Sequence, residues 1–420
     1  MFEMNDNQKA IRQYRGEIIY IFSSIVAPII SIIGSIVASM FIAPGEMGVI
    51  CNCLLISTYA SFIQLGVFNG LNRNIAFYKA QNKQNVVQNM VNTSHMVAVC
   101  VAGIGCAISV VYALCVVGKG GVYIGGSILL LITLAFTPLS THYETTYRSG
   151  QEFKRLGIIK FKESLLYCIV VFLPSLLGYL GKIISDSLKL LVGFFLRLKD
   201  LPIKSTGRGQ LKTYKELVRT GFPMLLSGYV WSIFQVADQT YISAYFGEEQ
   251  LGLYTLSRYC VMAFIILPQA INAVLYPKAA ARFGQSGNSY DLLPFWRKTL
   301  ILYSAIIIPI VVVLYVIAPI LVPIVLPKYV DGIDCMKINL ISCITFIYMG
   351  PSVIFGTLRK NTAFIISIIV CLCLFWIIAL SFQGAFCNSE CVAYLKLSLS
   401  VALAISSIIL SRYYINKKNK

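Results

Sequence analysis

The sequence predicts an all-α membrane protein of about twelve transmembrane helices, arranged as two six-helix lobes related by a pseudo-twofold axis normal to the membrane. Three observations predict it. Hydrophobic residues make up 57% of the 420-residue chain and charged residues only 12%, a balance that a water-exposed surface does not accommodate. Twelve apolar stretches reach or approach the roughly 20 residues needed to cross a hydrocarbon core. Lysine and arginine alternate between the connections. The N-terminal segment, the even-numbered connections and the C-terminal tail hold 28 of the 35. Odd-numbered connections hold only Lys119, Lys182, Lys328 and Lys337, and Lys189, Arg258 and Lys396 fall inside spans. Short loops rich in Lys and Arg stay on the cytoplasmic side, so both termini are expected there.

Taken in order, the spans are expected at 18–42, 48–70, 94–117, 121–140, 164–180, 183–198, 221–245, 252–276, 299–326, 336–357, 363–383 and 391–411. The first is too long for the apolar core of a signal peptide. Pro44-Gly45-Glu46 follows it instead of a small-residue cleavage site, so it reads as a transmembrane helix. The fifth and sixth are short and separated only by Gly181-Lys182. The domains read as an N-terminal six-helix lobe over 1–198, a basic cytoplasmic linker over 199–220 and a C-terminal six-helix lobe over 221–420. Within the linker, residues 205–210 read as flexible and 214–219 as an amphipathic helix on the cytoplasmic surface. The halves echo each other. Met40-Phe41-Ile42-Ala43-Pro44-Gly45-Glu46-Met47-Gly48 and Ala244-Tyr245-Phe246-Gly247-Glu248-Glu249-Gln250-Leu251-Gly252 stand at an offset of 204. Tyr147-Arg148 and Leu358-Arg359 end the fourth and tenth spans. Six spans in each half make both halves enter from the same side, so the repeat is parallel and a binding site belongs between them.

A charged group inside a span costs about 2.5–3.5 kcal/mol on insertion scales, so each one invites a functional reading. Asp238 and Arg258 fall at matched depth, about 10 Å below the outer boundary, which suits an ion pair or ion coupling. Lys189, with Asp186 one turn earlier, and Lys396 fall at similar depth. Together they read as the wall of a water-filled cavity that attracts an anionic headgroup; the plainer alternative for the lysines is snorkelling to the interface. Arg15 and Arg73, at the cytoplasmic ends of the first two spans, are candidates for first contact with a phosphorylated lipid, against simple positive-inside anchoring. His95, inside the third span, reads as a satisfied interhelical hydrogen bond before a proton relay.

Most of the thirteen cysteines lie in apolar spans as small hydrophobes. Cys51/Cys53 and Cys371/Cys373 point about 200° apart on a helix and share no metal position. Cys387 and Cys391 flank a short outward loop where a disulfide is compatible with an oxidising compartment. The net charge of +18 is spread over cytoplasmic loops, so a membrane explains it and a nucleic acid does not. No Walker loop, dinucleotide fingerprint, nucleophile elbow or HExxH sequence occurs, so neither ATP hydrolysis, a cofactor nor a metal is expected, and the chain does not read as an enzyme. A membrane glycosyltransferase or polymerase would need catalytic carboxylates or a large external loop, and the outward connections are short.

The two halves, the basic linker, Leu65-Gly66 followed by Arg73-Asn74-Ile75-Ala76, Asp238-Gln239-Thr240-Tyr241-Ile242 followed by Gly252-Leu253-Tyr254, and Pro327-Lys328-Tyr329 carry a resemblance. The chain resembles the polysaccharide-unit flippases, the O-antigen or capsule transporters of the multidrug/oligosaccharidyl-lipid/polysaccharide (MOP) exporter superfamily. That resemblance implies movement of an undecaprenyl-pyrophosphate-linked oligosaccharide from the inner to the outer leaflet of a bacterial inner membrane by alternating access. It implies a cationic central cavity built from Arg73 and Arg258, with Lys189 and Lys396 contributing. Its partners would be the polyprenyl-pyrophosphate-linked glycan, membrane lipids, and a polysaccharide polymerase or glycosyltransferases. The alternative within the same fold is a cation-coupled multidrug exporter, which would favour acidic groups where this chain places cations.

Overall fold

The computed structural model describes residues 6–286, 288–358 and 360–416. Fifteen α-helices follow in order among these residues: α1 (Asp6–Ser39), α2 (Pro44–Ala60), α3 (Val67–Ala80), α4 (Gln84–Val116), α5 (Gly121–Ser149), α6 (Phe153–Val170), α7 (Leu173–Lys199) and α8 (Leu211–Tyr245). Then come α9 (Gly247–Leu253), α10 (Thr255–Ser286), α11 (Leu293–Val325), α12 (Ile333–Ile344), α13 (Met349–Thr357), α14 (Asn361–Ser381) and α15 (Ser389–Asn416). With α2–α3 as one broken span, α12–α13 as another and the short α9 as a connection, twelve spans result, as the hydropathy pattern predicts. Eight are long and apolar enough to cross a membrane on composition alone. The other four, α6, α7, α8 and α10, carry charge or polar first turns. Large apolar side chains face outward, with Leu176 80% and Ile324 74% exposed. In water such a surface would aggregate; against lipid it is the stable face.

The chain forms two compact units, Met1–Ile42 with Cys53–Tyr229 and Ala43–Asn52 with Val230–Lys420. In the first, α1 packs on α6, α4 on α5, and α5 and α6 on α7. In the second, α10 packs on α12 and α13, and α15 on α12 and α14. The unit boundary falls inside α8, so the basic connection belongs to the first unit. That connection is anchored. Asn92 Oδ1 accepts the Thr206 amide at 2.9 Å, Thr93 Oγ1 accepts the Gln210 amide at 3.1 Å, and Gln88 Nε2 donates to the Lys204 carbonyl at 2.7 Å. Polar side chains on the first turns of α4 thus satisfy the loop backbone that the sequence reads as flexible. Residues 214–219, read as a separate surface helix, instead begin the continuous α8. There the Tyr78 hydroxyl donates to Glu216 at 2.8 Å, and that hydrogen bond to a carboxylate raises the phenol above its ordinary pKa.

Three local features position the charged groups. First, the fifth and sixth spans divide at residues 171–172, ten residues before Gly181-Lys182. Pro174 sits in the first turn of α7, and Gly178 takes φ 53° and ψ −128° inside it, so the kink lies upstream of the apparent loop and Lys182 enters the helix. Second, the second span breaks at Leu65 and Gly66, with φ 48° and 81°. Any Cβ at Gly66 would strike the Gly221 backbone 2.5 Å away, and one at Gly70 would strike the Leu217 carbonyl, so glycine lets α3 and α8 approach backbone to backbone.

Third, the 204-residue echo is a contact as well as a likeness. A Cβ on Gly48 would run into the Glu248 carbonyl, and one on Gly252 into the Pro44 carbonyl. Each pair is the other displaced by the repeat. Cys51 Sγ lies 3.4 Å from Thr255 Oγ1, its own counterpart 204 positions on. A local twofold relation therefore passes between these two residues. Cys387 and Cys391 are both free thiols, so the loop closes without the disulfide its spacing allows.

Candidate functional site

Among the described residues, each unit holds a cluster of charge within its apolar helices. In the first unit, α7 carries Lys182, Asp186 and Lys189 at i, i+4 and i+7, one stripe of one helix face. Tyr167 from α6 and Ser31 and Ser35 from α1 complete the cluster. Lys182, 3% exposed, pairs with Asp186 at 2.9 Å and donates to the Tyr167 hydroxyl at 3.0 Å. Tyr167 in turn donates to Asp186 at 3.1 Å. Lys189 donates to Ser31 Oγ at 2.5 Å and stands 4.5 Å from the centroid of the Tyr167 ring. One carboxylate thus serves two ammonium groups, and Lys182 takes its ion-pair contact. Lys189, half-buried, has no ion-pair contact of its own among the described residues and rests on a hydroxyl and an aromatic face. Toward the polar ends of the same helices, Arg197 bridges Glu163 and Glu144, and Lys160 reaches Glu144 at 2.9 Å.

In the second unit, Asp238 is 3% exposed and Lys396 5%. Lys396 Nζ lies 3.9 Å from Asp238 Oδ1 and 4.0 Å above the Phe234 ring. Tyr254 donates to Asp238 Oδ2 at 2.7 Å, and Asn339 donates to the Tyr254 hydroxyl at 2.8 Å. The ion pair is too wide for a hydrogen bond: neither Lys396 Nζ nor Asp238 Oδ1 has a hydrogen-bond partner among the described residues. Arg258, half-buried, points a guanidinium nitrogen at Cys51 Sγ, 3.5 Å away, beside the local twofold. A thiol is a weak acceptor, so most of its five N–H donors remain available.

Matched depth in the sequence does not make Asp238 and Arg258 partners. Asp238 pairs with Lys396 on α15, not with Arg258, because depth along a helix carries no information about the direction a side chain takes around it. Lys396 is correspondingly enclosed within the second unit in this structure and does not line an open wall. Asp186 pairs with Lys182, a residue read from sequence as part of an outward loop. Arg73 is exposed on α3. The side chain of Arg15 lies outside the described residues. Among the described residues His95 does not make the hydrogen bond expected of it: its Nδ1 is buried with no partner there, while Ser94 Oγ lies 3.0 Å from Nδ1 of His142. Sequence reading missed Lys182, Tyr167, Tyr254 and Asn339. The spacing of Lys182, Asp186 and Lys189 could have revealed the first; the tyrosines and the asparagine have no signal beyond lying in spans. Among the described residues no group of three or more metal-binding side chains occurs.

The sequence profile of a family described as "Polysaccharide biosynthesis protein" matches residues 37–330. No curated protein matches the sequence. Among solved structures, the chain is similar to an inward-facing multidrug resistance MATE family transporter of the MOP superfamily, with a TM-score of 0.75 and 15% identity over 94% of this chain and 98% of that one. It is also similar to a MOP superfamily transporter from Pyrococcus furiosus, whose binding pocket is described as reversed in polarity, with a TM-score of 0.68 and 14% identity over 99% of both chains. An outward-facing MATE family transporter follows at 0.67 and 13%, over 99% of both chains. At these identities the likeness is one of fold.

Proposed function

Because this chain belongs to the polysaccharide biosynthesis protein family and has the fold of MOP superfamily membrane transporters, we propose that it is a flippase for a polyprenyl-pyrophosphate-linked oligosaccharide. It is a transporter and not an enzyme. In this reading it lies in a bacterial inner membrane with both termini cytoplasmic, carries the glycan unit from the inner to the outer leaflet by alternating access, and works beside glycosyltransferases and a polymerase. Undecaprenyl is the carrier that the family likeness suggests.

The observation that carries the reading is the state of the intramembrane cations. Lys189 is held by a hydroxyl and a ring, and Arg258 by a thiol; neither forms an ion pair with a carboxylate among the described residues. An unpaired cation inside a span is expensive, and a bidentate pyrophosphate would supply the missing charge. The half-buried carboxylate of Asp186 and the buried one of Asp238 are already paired with lysines, which leaves a cationic drug little to bind. A MOP superfamily transporter of this fold whose binding pocket is described as reversed in polarity supports the reading.

In cells whose surface glycan depends on this protein, Arg258→Ala should abolish surface glycan while the variant still accumulates in the membrane, and Arg258→Lys should retain part of it. Unchanged export by Arg258→Ala combined with Lys189→Met would remove the cations from the mechanism. Asp238 favours the second reading, a cation-coupled drug exporter. That reading predicts resistance to cationic drugs that disappears in Asp238→Asn, with surface glycan intact.

A further inference from the structure

Lys182 is the intramembrane cation to which the flippase reading gives no task. An ammonium group has three N–H donors, and three oxygens stand within reach of this one. They are Asp186 Oδ1 at 2.9 Å, the Tyr167 hydroxyl at 3.0 Å and Ser35 Oγ at 3.4 Å. The Lys182 side chain is 4% exposed, so it does not snorkel to an interface. A carboxylate, a phenol oxygen and an alcohol oxygen, brought together from α7, α6 and α1, are the donor set that a hard cation takes in a membrane transporter. Here the chain's own ammonium fills it.

Charge argues the same way. Lys182 and Lys189 share the one carboxylate of Asp186, so the cluster already carries one positive charge in excess. A sodium or potassium ion added there would double that excess in a medium of low dielectric. Toward the polar ends of these helices, Glu163 is held by Arg197, and Glu144 by Lys160 and Arg148, so neither is free to offset it. The second unit repeats the economy. Lys182 lies on the last span of its half and reaches Ser35 on the first; Lys396 lies on the last span of its half and stands 3.9 Å from Asp238 on the first. In both units the carboxylate's charge is met from within the chain.

We propose that Lys182 is a built-in cation: it occupies the oxygen-lined place that a coupling alkali ion would otherwise take, and transport by this chain draws on neither sodium nor potassium. Lys189 is thereby left to meet the anionic headgroup. The transport half of the inference rests on the flippase reading; the site does not.

The test uses the full chain in lipid nanodiscs, with sodium or potassium chloride exchanged for choline chloride at constant ionic strength. Wild type should show no saturable binding of radioactive sodium or rubidium, and its thermal midpoint should be the same in all three salts. Lys182→Ala combined with Lys189→Met empties the site and stops the neighbouring ammonium from taking it over. That variant should bind about one sodium ion per chain, and saturating sodium should raise its thermal midpoint by about 2 °C or more. Adding Asp186→Asn should abolish both effects. Saturable alkali-ion binding by wild type overturns the inference, and so does a folded double variant that ignores both ions. Should the double variant fail to accumulate, the wild-type measurement alone decides. In proteoliposomes, a fluorescent farnesyl-pyrophosphate-linked sugar should be flipped as fast in choline as in sodium. Flipping that stops in choline overturns the inference while the flippase reading stands. No flipping in any medium overturns the flippase reading, and the binding measurements then decide the site.

Discussion

Lys396 and Asp238 show what lipid does to charge at the level of single residues. Both are nearly sealed from solvent, and each is tolerated because the other is there. Removing one partner leaves an uncompensated buried charge, which costs about 3–5 kcal/mol, whereas neutralising both is close to neutral. Asp238→Asn and Lys396→Met should therefore each lower the thermal midpoint of the detergent-solubilised protein by several degrees. The double variant should regain most of it. A double variant that is stable and still exports glycan assigns the pair to structure; one that is stable and inactive assigns it to coupling. Distance in sequence explains why this partnership was hidden: 158 positions separate the two, and Phe234 and Tyr254, which fix their geometry, look like any aromatic residue in a span.

At the level of elements, glycine decides where helices touch. Gly45 and Gly48 are one turn apart at the start of α2, yet a Cβ on Gly45 meets nothing within 4 Å while one on Gly48 collides with the Glu248 carbonyl. Gly48→Ala should destabilise the protein by about 1–3 kcal/mol through overpacking. Gly45→Ala should be neutral or slightly stabilising, by about 0.4–1 kcal/mol, through the unfolded chain. Thermal unfolding of the two variants side by side distinguishes them; equal effects would mean that the close approach at Gly48 does not exist in solution. Each expected span overlaps a helix because apolar length and basic connections are direct signals, but several helices run about ten residues beyond the apolar stretch into polar sequence. The sequence reading misplaced the turn before α7 because Gly181-Lys182 has the composition of a loop, whereas the true break depends on Pro174 and the unusual backbone of Gly178. The basic connection had a loop's composition too, and nothing in it announces that Gln88, Asn92 and Thr93 secure it from another helix.

For the whole molecule, the alternation of basic connections predicts an orientation that thiol chemistry can test. Cys387 is exposed in the short connection before α15, which the alternation places outside, while Cys51, Cys53, Cys335, Cys343 and Cys371 are buried. A membrane-impermeant maleimide added to intact cells should label Cys387, and no labelling should appear at the five buried positions. Protection of Cys387 in intact cells with labelling only in inverted vesicles would reverse the assigned topology. The overall class was legible because composition, hydropathy and charge asymmetry are properties of the entire chain. The candidate site was legible only in part: that Lys189, Arg258 and Asp238 lie within helices follows from the apolar runs around them, but their neighbours follow from packing.

The meeting of Cys51 with Thr255 has a chemical consequence of its own. At a symmetry element each position confronts its own double, so a cysteine retained in both copies would set sulfur against sulfur and invite an oxidative staple between α2 and α10. An alcohol in one copy keeps the polar contact and forbids the covalent one, so α2 and α10 meet here without a cross-link.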